Sequence, residues 1–292
     1  MVVIMRLVCA TILALSAVGR SDLGLRAVSG KPSKYFSELP YRERRIALRN
    51  LMRSYLEIMQ ATGVETWLAH GTLLGWWWNA QIMPWDYDLD VQVTGATMAW
   101  LAENLNGTEH AYNFTGGSET VRDGAEASSA ANHTHHRTYL LDINPHHTEL
   151  NSRGGDNLID GRWIDLESGI FVDITELRER ASQSDTGVWS CKNNHRYKAQ
   201  DLWPLRITEF EGVPARIPYQ FENILVKEYS KKSLAKERHQ HHQWSHELKQ
   251  WVTDDPEQRE SAKASGASFK KQQLDYQIRF EELPKHDTSI SK

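Results

Sequence analysis

The run Trp67-Leu-Ala-His-Gly-Thr-Leu-Leu-Gly-Trp-Trp-Trp-Asn79, followed after two residues by Ile82-Met-Pro-Trp-Asp-Tyr-Asp-Leu-Asp-Val-Gln-Val93, sets the frame for the chain. Val64 to Ala69 reads as a short strand, Gly71 as a turn, and Thr72 as the cap of a helix that takes in Leu73, Leu74 and Trp76 to Trp78. Pro84 ends that helix, and Val91-Gln-Val93 resumes an alternating strand. Asp86, Asp88 and Asp90 fall on every second position, so on an extended backbone their carboxylates share one side. Like charges so close repel unless cations sit among them or one is protonated. An oxygen-only set of this kind suits Mg²⁺ or Mn²⁺, which complete their shells with water and substrate phosphate.

Working outward, Glu43 to Thr62 spaces its apolar residues three and four apart and stops at Gly63, the pattern of an amphipathic helix. Thr138 to Ile143, Arg162 to Leu166 and Gly169 to Thr175 read as strands, the last with Asp173 embedded in Ile-Phe-Val-Asp-Ile. A carboxylate inside a buried-type strand is costly unless it is paired or binds metal. Tyr219 to Tyr229 reads as a helix, and Leu234 to Trp251 as another with Trp244, Leu248 and Trp251 on one face. Strands mixed with helices predict an α+β fold, a mixed sheet flanked by helices, as a single domain over residues 35–253.

The chain has 292 residues, a net charge of -4 and 40% apolar residues, which excludes wholesale disorder, a collagen-like rod and a polytopic membrane protein. With 34 Lys and Arg against 38 Asp and Glu, no basic excess points to nucleic acid. Residues 1–19 carry Arg6 and an apolar run from Leu7 to Val18, the make-up of a signal peptide or signal anchor. Sequons at Asn106, Asn113 and Asn132 cluster in a polar segment, 104–137, that reads as a loop insertion, and together these features predict the secretory pathway, Golgi lumen or outside. Residues 254–292 read as a mobile polar tail. Seven of the 11 tryptophans lie between Trp67 and Trp163. Trp76, Trp77 and Trp78 sit about 100° apart on a helix, so some pack in the core while others are left to line a sugar or nucleobase pocket.

Each candidate has a structural reading beside its functional one. His70 is a phosphate contact or a histidine satisfied by its neighbours, Arg162 a phosphate clamp or half of an ion pair, and Asp173 a metal ligand or base or the partner of Arg162 or Arg178. Asp142 competes with Asp173 as the third carboxylate, and Asp165 reads as a turn acid. The histidine run around His135 lies in the loop insertion, the run around His241 lacks companion acids or cysteines at zinc spacing, and Cys191 lacks a nameable base.

Gly71-Thr72, then Asp88-Leu-Asp90, then an acid in a distant strand resembles the layout of the nucleotidyltransferase superfamily. The run from Trp67 to Val91, with Tyr139-Leu-Leu-Asp-Ile-Asn-Pro145, Asn157-Leu-Ile-Asp-Gly-Arg-Trp-Ile-Asp165 and Gly169-Ile-Phe-Val-Asp-Ile-Thr175, resembles the LicD/fukutin family over residues 40–230. Within it the likeness is to the fungal branch related to regulators of mannosyl phosphorylation. The resemblance implies a nucleotidyltransferase-like fold and metal-dependent transfer of a phospho-sugar or phospho-alcohol from a nucleotide diphosphate donor, of GDP-mannose or CDP-alcohol type, to a glycan hydroxyl. It implies that Asp88 and Asp90 form the metal pair with Asp86 beside them, that Asp173 is the later carboxylate, and that His70, Gly71, Thr72 and Arg162 meet the substrate. Tyr87 departs from the triple aspartate common in bacterial members, yet leaves the Asp-x-Asp pair intact. An Asp-x-Asp glycosyltransferase and a non-catalytic glycan-binding relative are the competing classes.

Overall fold

The computed structural model describes residue 39 and residues 41–115, 134–150, 157–180 and 186–253. The signal-like segment, the tail and the sequon at Asn132 lie outside them.

Tyr41–Ala61 forms helix α1 as its spacing predicts, and it buries Leu48, Leu51, Met52, Tyr55 and Met59 completely or nearly so. Each such side chain contributes about 1.5–3 kcal/mol relative to exposure. Ser54 on the same face accepts a hydrogen bond from Trp163 Nε1 at 3.0 Å, so the indole is buried without stranding its donor. Gly63 at φ 72° follows the helix in the left-handed conformation that glycine adopts without penalty.

The strands that follow are β1 (Trp67–Leu68), β2 (Leu89–Thr94), β3 (Glu109–Thr115), β4 (Thr134–Ile143), β5 (Gly161–Asp165), β6 (Phe171–Glu179), β7 (Val188–Ser190) and β8 (Arg196–Lys198). They build one mixed sheet in the order β1-β2-β6-β5-β4-β3, with β7 attached to β6 and β8 to β7. Among the described residues only β2 and β6 pair in parallel; the other neighbours in this sheet are antiparallel. Helices α2 (His70–Asn79), α3 (Gly95–Asn104), α4 (Ala199–Leu202) and α5 (Phe221–Tyr229) complete the mixed α/β architecture, and α1 lies against β5 and β6.

Two expectations change. Segment 104–137 is no plain loop: Asn106 and Asn113 are exposed, but β3 and the start of β4 run through it as an antiparallel pair. Leu234 to Trp251 is not a helix. Lys231–Leu234 makes a single 3₁₀ turn, and β11 (Arg238–His239), β12 (His242–Ser245) and β13 (Gln250–Thr253) form a small antiparallel sheet. Trp244 and Trp251, seven apart like two turns of a helix, are direct cross-strand partners with rings 5.6 Å apart. Cross-strand pairing reproduces the spacing that suggested the helix.

The remaining pair, β9 (Arg206–Phe210) and β10 (Val213–Ile217), is a hairpin whose turn residues Glu211 and Gly212 both have positive φ. Glu211 accepts from Ile82 N at 2.7 Å through its side chain and donates its own N–H to Ala80 O at 2.9 Å. This hairpin braces the segment that leads to the aspartates.

Candidate active site

Strand β2 buries Leu89, Val91 and Val93 fully, and its alternation turns Asp88, Asp90 and Gln92 to the other face. Its parallel pairing with β6 sets Asp90 directly beside Asp173. Antiparallel pairing then sets Asp173 beside Arg162 on β5, and Arg162 beside Asp142 on β4. Directly opposed residues share a face, so a row of acid, acid, base, acid crosses four strands. Arg162 Nε donates to Asp173 Oδ1 at 2.9 Å, and its guanidinium lies 4.1 Å from the Phe171 ring centroid. Neighbouring strands are about 4.8 Å apart, so Asp173 is one step from Asp90 and Asp142 three steps, about 14 Å. Of the two candidates for a third carboxylate, Asp173 stands next to the pair.

The chain reaches this row through α2. Ala69 N donates to Asp90 O at 3.2 Å, and Thr72 Oγ1 accepts from Asp90 N at 2.8 Å. Both backbone polar groups of Asp90 are therefore committed to the start of α2. The sharp turn falls at His70, with φ 47°, rather than at Gly71, and Ala69 is the N-cap; Thr72 is buried in the first turn and caps nothing. Gly75 allows close approach of the next segment: a Cβ there would lie 2.4 Å from Gln81 O. Asp86 N donates to Met83 O at 3.0 Å in a turn, which brings Asp86 Oδ2 over Gly71. Tyr87 points away, 58% exposed, with the Arg44 guanidinium 3.8 Å from its ring centroid, so its departure from the bacterial pattern does not touch the acid face.

Burial, reinforced by the charges of Asp88 and Asp90, pushes Asp86 up to about 7. Asp90 is likewise pushed up to about 7, by burial first, with His70 opposing and Asp88, Asp173 and Glu228 adding to the rise. Burial also raises Asp173, against the pull of Arg162. A site that holds several carboxylates at such a cost is electrostatically short of cations.

His70 closes a network that no local pattern announces. Trp67 Nε1 donates to Gln92 Oε1 at 3.1 Å, which leaves the Gln92 amide nitrogen, 3.4 Å from His70 Nε2, as donor. His70 Nδ1 then donates to Glu228 Oε2 at 2.9 Å, and Tyr197 Oη donates to Glu228 Oε1 at 2.6 Å. His195 packs against His70 with ring centroids 4.4 Å apart and the rings tilted by 41°. His70, His195 and Glu228 lie close enough to ligate one ion, yet both His70 nitrogens and both Glu228 oxygens already have hydrogen-bond partners. Burial would raise Glu228, but the His70 and Tyr197 hydrogen bonds hold it below the usual carboxylate range. Tyr229, the last residue of α5, brings its hydroxyl to the same region, and burial with nearby carboxylates pushes the phenol up. The 158-residue separation of His70 and Glu228 explains why spacing gave no hint that α5 contributes to the site.

A model of the LicD/FKTN/FKRP nucleotidyltransferase domain matches residues 63–220. The chain belongs to the LicD/FKTN/FKRP family. Mannosyltransferase regulator 4 of Saccharomyces cerevisiae is 27% identical over 179 residues, 61% of this chain and 14% of that protein. Mannosyltransferase regulator 14 of the same yeast is 32% identical over 130 residues, 44% of this chain and 12% of its own length. Human ribitol 5-phosphate transferase FKRP is 43% identical over 47 residues, 16% of this chain and 10% of that one. The chain thus spans a small part of the relatives it matches. All the sequence-derived site residues fall inside the LicD match, whereas Glu228 and Tyr229 lie beyond it.

The carboxylate set of this LicD domain fits a divalent cation. Asp86 and Asp90 are held protonatable near neutral pH by burial and mutual repulsion, which a cation would reverse, and every donor is a hard oxygen. The tryptophans serve another end. Trp76 donates to Thr208 Oγ1 at 2.9 Å and packs edge-on to Phe221. Trp78 contacts Trp77, Trp244 and Trp251, and Trp85 contacts Trp251, His239 and His242. This aromatic cluster pins the β11–β13 sheet to α2 and to the loop that precedes Asp86. His239 and His242 take part as aromatic surfaces, Asp165 holds Arg137, Ser168 and the Glu167 amide in a turn, and Cys191 is buried beside His195.

Proposed function

We propose that the protein is a divalent-metal-dependent phosphotransferase of the secretory pathway that moves a phospho-sugar or phospho-alcohol from a nucleotide diphosphate donor to a glycan hydroxyl. GDP-mannose is the favoured donor, in keeping with the named yeast relatives; a CDP-alcohol would fit the named transferase. The observation that carries the reading is the placement of Asp90 beside Asp173, with Asp86 and the start of α2 directly alongside.

Asp88 and Asp90, with Asp86 and Asp173, would hold Mg²⁺ or Mn²⁺, which when bound supplies charge neutralisation of the diphosphate and of the leaving phosphate. The backbone of Asp90 is fixed by Ala69 and Thr72. The first-turn amides of α2, at His70 and Gly71, lack acceptors within the helix and would receive diphosphate oxygens. Thr72 acts through Asp90, and His70 through its grip on α5. Arg162, with Nε committed to Asp173, would offer its η nitrogens to phosphate. The acceptor oxygen forms a bond to the sugar-bearing phosphorus as the bridging P–O bond to the nucleoside monophosphate breaks. Arg162 occupies Asp173 Oδ1, so Oδ2 is the oxygen that either shares the metal or takes the hydroxyl proton. Positioning and charge stabilisation account for most of the acceleration in such a transfer.

Incubation with a panel of nucleotide diphosphate donors plus Mn²⁺ tests the reading. Nucleoside monophosphate release is expected; release of a diphosphate would mean glycosyl transfer instead.

A further inference from the structure

We propose that the Tyr229 hydroxyl is a catalytic group of this site, and that the gap over Gly71 between that hydroxyl and Asp86 receives an oxygen of the donor diphosphate. The inference rests on the phosphotransferase reading and extends it to a helix outside the LicD match.

Two observations carry it independently. The first is the placement of the groups. A Cβ built on Gly71 would lie 3.6 Å from Asp86 Oδ2 and 4.0 Å from Tyr229 Oη, so the carboxylate and the phenol both border the bare glycine. Tyr229 is 38% exposed, and Glu228 beside it anchors the end of α5 through His70 and Tyr197.

The second observation is the glycine itself. Gly71 lies inside α2 with no left-handed φ, so the backbone does not require glycine. The contacts its Cβ would make are ordinary ones, so packing does not require it either. Gly75 in the same helix has a packing reason in the 2.4 Å approach of Gln81 O. What alanine at position 71 would change is the gap. The chemistry of the gap suits a phosphate oxygen: Asp86, Asp88, Asp90, Asp173 and Glu228 only accept when ionised, and a phenol supplies a neutral donor among them. A donor aimed at developing charge on the transferred group is worth about 100-fold in rate.

The test is steady-state kinetics of the full chain with Mn²⁺ and the donor it turns over, comparing Tyr229→Phe, Gly71→Ala and, as a control on an exposed tyrosine elsewhere, Tyr219→Phe. Tyr229→Phe is expected to lower kcat on the order of 100-fold with an unchanged melting temperature. Gly71→Ala is expected to raise KM for the donor by about 10-fold or more with an unchanged or higher melting temperature, since alanine favours the helix. Wild-type kinetics in both variants would overturn the inference. If the wild-type chain turns over no donor, the phosphotransferase reading falls, and titration with Mg²⁺ and inorganic pyrophosphate takes over. Weaker pyrophosphate binding by both variants would then support the gap, and binding equal to wild type would overturn it.

Discussion

Asp90 shows how much of the molecule one residue can engage. Its N–H goes to Thr72 and its C=O to Ala69, and its carboxylate lies on the face shared with Asp173. Thr72→Val keeps the shape and removes the acceptor, leaving the Asp90 amide without it. Urea unfolding should show a loss of about 1–3 kcal/mol, and activity should fall with it although Thr72 meets no substrate in this account. The acids themselves oppose folding at neutral pH. In the metal-free protein Asp90, at about 7 when folded, lies above the unfolded carboxylate range. Its contribution to stability is therefore fully present below about pH 4 and lost as pH rises through about 7. Asp90→Asn should flatten that part of the decline. It should also raise the melting temperature at pH 8 by about 2–4 °C for each 1 kcal/mol of repulsion relieved, read by calorimetry without metal. A lower melting temperature at pH 8 would show that the carboxylates do not repel as placed.

Elements hold these residues by close contact rather than by pattern. Gly75→Ala would drive a methyl group against Gln81 O, 2.4 Å from the ideal Cβ, and push away the segment that carries Asp86. A loss of about 1–3 kcal/mol is expected, with a larger proportional loss of activity than of folded protein by circular dichroism. Trp251 is buried against Trp78, Trp85 and Trp244. Trp251→Ala should cost about 3–5 kcal/mol and make the β11–β13 sheet the first site of limited proteolysis. Much of the element plan was legible: α1, β2, β4 to β6 and α5 lie where apolar spacing puts them. The C-terminal sheet was not, because a tryptophan pair seven residues apart satisfies helical spacing and cross-strand pairing alike, and its β11–β12 turn at Gln240 and His241 takes positive φ without glycine. Gly71 and Thr72 gave a turn and a cap in sequence, whereas the strain falls one residue earlier, at His70.

At the scale of the whole molecule the candidate site is a product of strand order. Asp90, Asp173 and Arg162 become neighbours because β2, β6 and β5 are adjacent, an order that the chain reaches only after passing through α3, β3 and β4. Asp86, Asp88 and Asp90 were legible because they are local to one another, and Asp173 because it interrupts an apolar strand. The contribution of α5 was not, since Glu228 and Tyr229 meet His70 and Gly71 across more than half of the chain and no spacing rule spans that distance. The fold thus joins a family-matched core, residues 63–220, to a helix beyond it. We propose that the carboxylates on β2 and β6 serve metal-dependent phosphotransfer. The most direct test is product analysis of the purified chain with GDP-mannose, CDP-alcohols and related donors in Mn²⁺, beside Asp88→Asn and Asp90→Asn. The expected result is nucleoside monophosphate release that chelator abolishes and that both variants lower at least about 100-fold. Equal release by wild type and variants, or a nucleoside diphosphate as product, would contradict it.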